Sequence, residues 1–519
     1  MSDKIIIGSR GSELALWQAN FVQAELKKIG IHAEIKIIKT QGDKIQYLSF
    51  EKLEGKGFFT KEIEEALLKK EIDLAVHSHK DLPTESPTGL MIAAVSDRED
   101  PSELLLINKN AVDENEKFSL KRNASVGTSS ARRKSQILAW RSDVKIEELR
   151  GNVPTRIQKL RDKKYDAILI ANAGVSRLNI DLSEFHVEKL SPKEFIPAPA
   201  QGVLALQIRQ SDKDLYAVLQ KLNCKEVGEI IFVERKILNL FDGGCQLPLG
   251  VYCESENGIY KVRVAKAETW NSFPKYFYFE AKKTDGLAKK IVDRMNSVKP
   301  TEVFISRGEK RDDFFKRCLE VNGYKVLAQS LIAIKKIEQK SFLQTDWVFF
   351  SSKNAVKHFF EQKPNLNGAK LGAVSKATAE ELRKFGKRAD FIGGAGDTKL
   401  TGKKFSAQVG NKKVLFPQAK GSLRTIQQQL KKEQVIDLPV YETLKVETSK
   451  LKVESFDIFI FTSPSNVESF FEKNKIGVEQ KVIAMGDATA QALKKFNLKV
   501  NAQPASFDDL GLVQAVMSL

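Results

Sequence analysis

Cysteine is scarce in this chain: four in 519 residues, at positions 224, 245, 253 and 318. No pair has metal-ligand spacing, so neither a disulfide framework nor a zinc site is expected. Five histidines are present, and two of them, His77 and His79, alternate along one strand-like run with no third ligand in view; a metal is not expected there. No apolar run approaches the roughly 18 residues needed to cross a bilayer. The opening MSDKIIIGSR lacks the apolar core of a signal peptide, so a cytoplasmic protein without a membrane partner is expected. Also missing are a helical stripe of basic residues and basic residues interleaved with stacking aromatics. Nucleic acid is therefore not expected as a partner, although the formal net charge is +18.

What is present is a globular composition, 42% hydrophobic and 29% charged, in a chain long enough for several domains. The positive charge is concentrated. Residues 121–180 hold 14 Lys+Arg against 5 Asp+Glu, many of them Arg beside Gly, Ser and Thr, a pattern suited to individual carboxylates or phosphates.

The first 200 residues repeat one grammar: a short apolar run, a polar loop, then a helix-like segment. In KIIIGSRGSELALWQANFVQAELKK, residues 4–7 read as a buried strand and Ser12 as an N-cap, which sets Arg10 and Ser12 at a helix start. ASVGTSSARRKSQILAW repeats this, with Arg132 and Arg133 in the first helical turn, where free N–H groups and the helix dipole favour an anion. IDLAVHSHKD and YDAILIANAG read as parallel strands covered on both faces. Ligands bind at the carboxyl ends of such strands, which places Ser78, Lys80 and Asp81 at the mouth of a cleft. FIPAPAQGVLAL reads as a rigid crossover between two lobes, and residues 221–297 as a small α/β domain containing the loop FDGGCQLPLG around Cys245. After a linker near MNSVKPTEV comes an internal repeat: DWVFFSSKNAVKHFF matches DIFIFTSPSNVESFF, and KATAEEL matches DATAQAL, at one constant offset of 111 residues. Two related α/β lobes follow. Residues 301–519 carry 36 Lys+Arg against 24 Asp+Glu, which also suits an anionic ligand.

Singly, each motif has a plain structural explanation: a surface ion pair at Lys80–Asp81, a solvated helix start at Arg132–Arg133, a braced turn at Arg150 and Arg156, a small buried hydrophobe at Cys245. Their ordered combination is specific. SRGSELALWQA, EGKGFFTKEIE, DLAVHSHKDLPT, REDPSE, VGTSSARRKSQ, LRGNVPTRIQKL, YDAILIANAGVSRL, PAPAQGVLAL and GGCQLPLG span residues 4 to about 255. Over this stretch the chain resembles hydroxymethylbilane synthase, the porphobilinogen deaminase family, with Pro154 and His79 as departures. The resemblance implies a dipyrromethane cofactor bound covalently to Cys245 by a thioether, and the condensation of four porphobilinogen molecules into hydroxymethylbilane with release of ammonia. Each pyrrole carries two carboxylates, which accounts for Arg forks at loops and helix starts. By resemblance, Asp81 is catalytic; Lys80, Asp81, Ser129, Arg132, Arg133, Arg150, Gly151 and Arg156 bind the cofactor; and Arg10, Ser12, Arg177 and Gln201 bind substrate. Lys52, Lys56 and Phe59, in EKLEGKGFF, are expected to cover the site as a lid.

The C-terminal half resembles uroporphyrinogen-III synthase through SRG at Arg307, FFSSKNAV, VLFPQAKG, LPVYETL, FTSPSNVESFF and GDATAQAL. That implies closure of hydroxymethylbilane to uroporphyrinogen III with inversion of one ring, with Tyr441 assisting loss of the terminal hydroxyl and Ser463 and Thr489 facing the cleft. The expected fold is α/β and multidomain: two periplasmic-binding-protein-like lobes (1–102 with 200–220, and 103–199), a small α/β cofactor-carrying domain (221–298), and a two-lobed module at 301–519 with an inserted lobe at about 335–440. A monomer is expected. Two other readings stay open on the residues alone: a deaminase with a non-catalytic C-terminal partner domain, and a tandem anion- or solute-binding module.

Overall fold

The run Ile5–Ser9 is almost wholly buried because it lies inside a sheet with neighbours on both edges. The computed structural model describes residues 4–40, 60–244, 246–297, 299–310, 313–394, 398–446 and 451–519. The first sheet has the order Ala33–Ile37, Ile5–Ser9, Leu74–Ser78, Leu204–Arg209, Leu90–Val95. Ser12 caps the helix Glu13–Lys28, its side chain accepting from the Ala15 N–H, and Ala19, Val22 and Leu26 bury one face of that helix. A second sheet has the order Lys145–Glu147, Ser125–Gly127, Ala167–Ala171, Glu103–Ile107, His186–Leu190.

Neither sheet is all-parallel, contrary to the reading of IDLAVHSHKD and YDAILIANAG. Leu74–Ser78 runs parallel to Ile5–Ser9 but antiparallel to Leu204–Arg209, and Ala167–Ala171 runs parallel to Ser125–Gly127 but antiparallel to Glu103–Ile107. The cause is topological: the strand that enters each lobe from the other arrives from the opposite end. His79 also leaves the strand and opens a short 3-10 turn, His79–Asp81, so the two histidines do not share a strand.

Between the lobes the segment Ile196–Val203 holds Ala200 at φ +62° and Gly202 at φ +90°. It is fixed by Glu234, fully buried on the helix Lys225–Leu240. The Glu234 carboxylate accepts from the Ala200 N–H at 2.7 Å, the Cys253 N–H at 2.7 Å and Arg98 Nη1 at 2.7 Å. The small domain is the antiparallel sheet Leu249–Glu256, Ile259–Lys266, Lys275–Ala281 with the helices Lys225–Leu240 and Leu287–Ser297.

The chain divides into two compact units, Met1–Pro300 with Asp312–Lys325 and Ala505–Leu519, and Thr301–Arg311 with Val326–Pro504. Two helices within residues 301–519, the span expected to form the C-terminal module, fold into the first unit: Phe314–Val321 and Asp509–Met517. The second unit contains a six-stranded sheet, Ile332–Lys336, Val435–Lys445, Val414–Ala419, Trp347–Phe350, Lys370–Ala373, Phe391–Ile392, and most of a four-stranded one, Lys325–Ala328, Glu302–Ile305, Ile458–Phe461, Lys481–Ala484. The repeat is visible element by element: Trp347–Phe350, Lys353–Phe360, Lys370–Ala373 and Lys376–Arg383 recur 111 residues later as Ile458–Phe461, Pro464–Phe471, Lys481–Ala484 and Asp487–Lys494.

Candidate functional site

The strand Ser125–Gly127 ends in a Thr-Ser-Ser loop, and Ser130 caps the helix Ala131–Trp140 by accepting from the Arg133 N–H. This capping throws Arg132 and Arg133 inward from the first turn, where both are buried. Their partner is Glu103, fully buried at the start of its strand: Arg132 Nη2 donates to one carboxylate oxygen at 2.6 Å and Arg133 Nη2 to the other at 2.7 Å. Arg132 Nη1 donates to the Ile196 carbonyl and Arg133 Nη1 to that of Leu169. Gln201 joins the group by donating Nε2 to Glu103 at 3.2 Å while its Oε1 accepts from Lys80 Nζ at 3.3 Å. One continuous network therefore runs from the turn of the first lobe, through the crossover, to the arginine helix of the second.

Burial alone would raise the Glu103 carboxyl, but Arg133 and Arg132 outweigh it and hold the group at about 2. Burial pulls the Arg132 guanidinium down, yet an arginine stays protonated at any physiological pH, so the group is a true ion triad. Lys80 is lowered first by burial and further by Arg133 and Arg132, with Asp81 and Glu103 opposing. Arg156 falls to about 10, through burial and then Arg133. Among the described residues, Lys80 and Arg156 feel both the carboxylates Glu103 and Asp81 and the neighbouring guanidinium Arg133, with Arg132 acting on Lys80 and Arg150 on Arg156, so cations outnumber carboxylates around Glu103. Among the described residues, the buried Arg133 Nε has no hydrogen-bond partner. An excess of buried positive charge with an unmet donor fits a ligand rich in carboxylates.

The other expected site residues fall around this cluster or apart from it. Asp81 is exposed at the end of its 3-10 turn. Ser129 Oγ donates to the Leu149 carbonyl at 2.8 Å and accepts from the Leu149 N–H at 3.2 Å, tying the loop to the segment that carries Arg150. Gly151 has φ +113°, and a Cβ there would lie 2.6 Å from the Thr155 methyl, so only glycine fits before the Asn152 cap that launches the helix bearing Arg156. Arg10 is close enough to help lower His77. Arg177 donates to the Gly202 carbonyl at 2.6 Å and sits 5.6 Å from the Trp17 ring centroid, which binds it into the crossover. Cys245, Lys52, Lys56 and Phe59 lie outside the described residues.

His77 is lowered to about 4 and His79 to about 3, both chiefly by burial. Among the described residues no group of three His, Cys, Asp or Glu side chains is placed to hold a metal ion, and no helix is long and apolar enough to cross a membrane. In the second unit Ser352 and Ser463 occupy equivalent caps. Tyr441 is buried on the six-stranded sheet with its hydroxyl 3.1 Å from Ser352 Oγ. Ser463 accepts from the Asn466 N–H, and Thr489 Oγ1 donates to the Met485 carbonyl. The residue that sequence reasoning passed over is Glu103, which stands in the quoted string REDPSE; an acid opening the apolar run ELLLI was the available signal.

Two mixed α/β lobes are joined by a double crossing, with a buried network of cations around Glu103 between them. Comparison with known proteins takes the identification further. Residues 5–217 match the family model described as porphobilinogen deaminase, dipyromethane cofactor binding domain, and residues 313–514 match uroporphyrinogen-III synthase HemD. The chain is 46% identical over 250 residues to a porphobilinogen deaminase of Helicobacter acinonychis, spanning 48% of this chain and 80% of that protein. It is 44% identical over 254 residues to the Bacillus subtilis porphobilinogen deaminase, spanning 49% and 79%. Among solved structures, uroporphyrinogen-III synthetase from Helicobacter pylori aligns with 42% of this chain and 98% of its own at 18% identity and TM-score 0.33. The chain belongs to the porphobilinogen deaminase family and continues into a uroporphyrinogen-III synthase domain, which makes it a bifunctional enzyme of tetrapyrrole biosynthesis.

Proposed function

We propose that the first unit condenses four porphobilinogen molecules into hydroxymethylbilane on a dipyrromethane anchored by a thioether to Cys245, and that the second closes the product to uroporphyrinogen III. The observation that carries the first part is the network around Glu103, with its surplus of cations and the unmet Arg133 Nε. Lys80, Ser129, Arg132, Arg133, Arg150, Arg156 and the Gly151 backbone hold the carboxylates of the cofactor. When bound, the dipyrromethane supplies a nucleophilic pyrrole carbon as primer. The residues of the chain do the rest. Charge-assisted hydrogen bonds from the forks fix the orientation of each ring, at about 1.5–3 kcal/mol apiece. Asp81, exposed beside Lys80 and Arg156, delivers a proton as ammonia departs and then places a carboxylate against the cation left on the substrate. Arg10, Ser12, Arg177 and Gln201 serve incoming substrate, with Lys52, Lys56 and Phe59 as further substrate-binding residues.

In the second unit the hydroxymethylbilane chain mainly has to be held in a productive bend, and few acid/base groups are needed. Tyr441, hydrogen-bonded to Ser352, is the group that assists loss of the terminal hydroxyl, with Ser463 and Thr489 as neutral contacts. The protein acts as a monomer.

Intact mass of the purified protein, wild type beside Cys245→Ser, tests the first reading. A fixed dipyrromethane increment in the wild type and none in the variant is expected. No increment in either, after incubation with porphobilinogen, would overturn it in favour of a binding module.

A further inference from the structure

The helix Phe314–Val321 lies within the stretch that matches uroporphyrinogen-III synthase, yet it folds into the first unit. There the Phe314 ring stacks on Trp140, with centroids 3.9 Å apart and planes 6° from parallel. Trp140 is the last residue of the helix whose first turn carries Arg132 and Arg133. The same ring also meets the small domain, 5.9 Å from Phe273 and 6.1 Å from the fully buried Tyr276. Arg317, almost one turn further on, donates Nη2 to the Ala139 carbonyl at 2.9 Å and lies 5.8 Å from the Phe273 centroid. The Ala139 carbonyl is one of the four that a helix leaves unbonded at its C-terminus, where a cation also suits the dipole. Ser518, just beyond the helix Asp509–Met517, accepts from the Tyr278 N–H at 3.0 Å on the edge of the same small sheet.

One side chain is therefore sandwiched between the arginine helix and the small domain, and the residue next to it in space caps that helix. We propose that Phe314 and Arg317 form a brace, contributed by the synthase-like sequence, that fixes the arginine helix of the second lobe against the cofactor-carrying domain. The first activity then depends on residues beyond the deaminase stretch, as positioning groups remote from the reacting atoms. The consequence for rate rests on the function proposed above; the brace itself does not.

Hydrogen–deuterium exchange on the full chain tests the brace, comparing wild type with Phe314→Ala and with the milder Arg317→Met. Exchange is expected to rise about tenfold or more in both 131–140 and 275–281 for Phe314→Ala and less for Arg317→Met, with 347–350 and 414–419 unchanged. In parallel, kcat for bilane formation should fall several-fold with KM for porphobilinogen unchanged and the Cys245 adduct still present. If Phe314→Ala does not fold, Arg317→Met decides alone. Exchange within twofold of wild type, or rising in only one of the two segments, overturns the proposal. A wild type that makes no bilane overturns the function and leaves the exchange result standing.

Discussion

Replacing Glu103 by glutamine removes the only carboxylate among the described residues that contacts Arg132 and Arg133 directly, while nearly preserving its shape. The size of the effect follows by two routes. Holding the carboxyl at about 2 instead of 4.5 corresponds to about 3 kcal/mol by linkage. Deleting one partner of a buried ion pair costs about 3–5 kcal/mol. Because the folded-state value is depressed, this contribution is complete above about pH 4.5 and disappears as pH falls toward 2. Glu103→Gln should therefore be about 3 kcal/mol less stable than wild type at pH 7, and only about 1 kcal/mol less stable at pH 3. Other carboxylates titrate in both proteins and cancel in the difference. The assay is urea unfolding followed by tryptophan emission in a Trp347→Phe background, which leaves Trp17, Trp140 and Trp270, all in the first unit. A gap below 1 kcal/mol at pH 7, or a gap that stays constant down to pH 3, refutes the ion triad as the source of stability.

Three further outcomes are expected. Asp81→Asn should keep the Cys245 adduct in an intact-mass measurement and lower the rate of bilane formation by roughly 10²–10⁴-fold; a rate near wild type would remove Asp81 from the chemistry. Tyr441→Phe should lower the fraction of type III isomer with bilane synthesis unchanged, as read by isomer separation of the oxidised products, and an unaltered ratio would make Tyr441 a packing residue. Gly202→Ala should cost at least about 1–3 kcal/mol in the same urea assay, because it adds a Cβ 2.2 Å from the Glu99 carbonyl oxygen at φ +90°; a change under 0.5 kcal/mol would show that the crossover relaxes freely.

Periodicity and punctuation carried most of the fold. Ser12 caps the helix that its sequence setting announces, and the repeat reappears as equivalent strands and helices, with Ser352 and Ser463 at equivalent caps, because identical spacing enforces identical lengths. Direction was not legible: an apolar run such as ILIA is equally buried whichever way its neighbours point, so the antiparallel partners of Leu74–Ser78 and Ala167–Ala171 came only with the structure. The arginines of the cluster stood out by their setting, but Glu103 did not, since a single acid gains its meaning from partners 29 and 30 positions away. The same limit hid the brace: Phe314 and Trp140 are 174 residues apart and share no local pattern.

The strand Leu204–Arg209 fills the gap between Leu74–Ser78 and Leu90–Val95, which has a consequence for birth on the ribosome. Both flanking strands leave the exit tunnel before the whole of the second lobe is made, and their hydrogen-bonding edges wait for a partner throughout. At about 5–20 residues per second the wait lasts roughly 5–20 s. During that interval the nascent chain presents two open edges of the kind that recruit other strands. Synonymous codon choices that slow translation between residues 95 and 204 would lengthen this window, so the yield of folded protein should fall as elongation there is slowed.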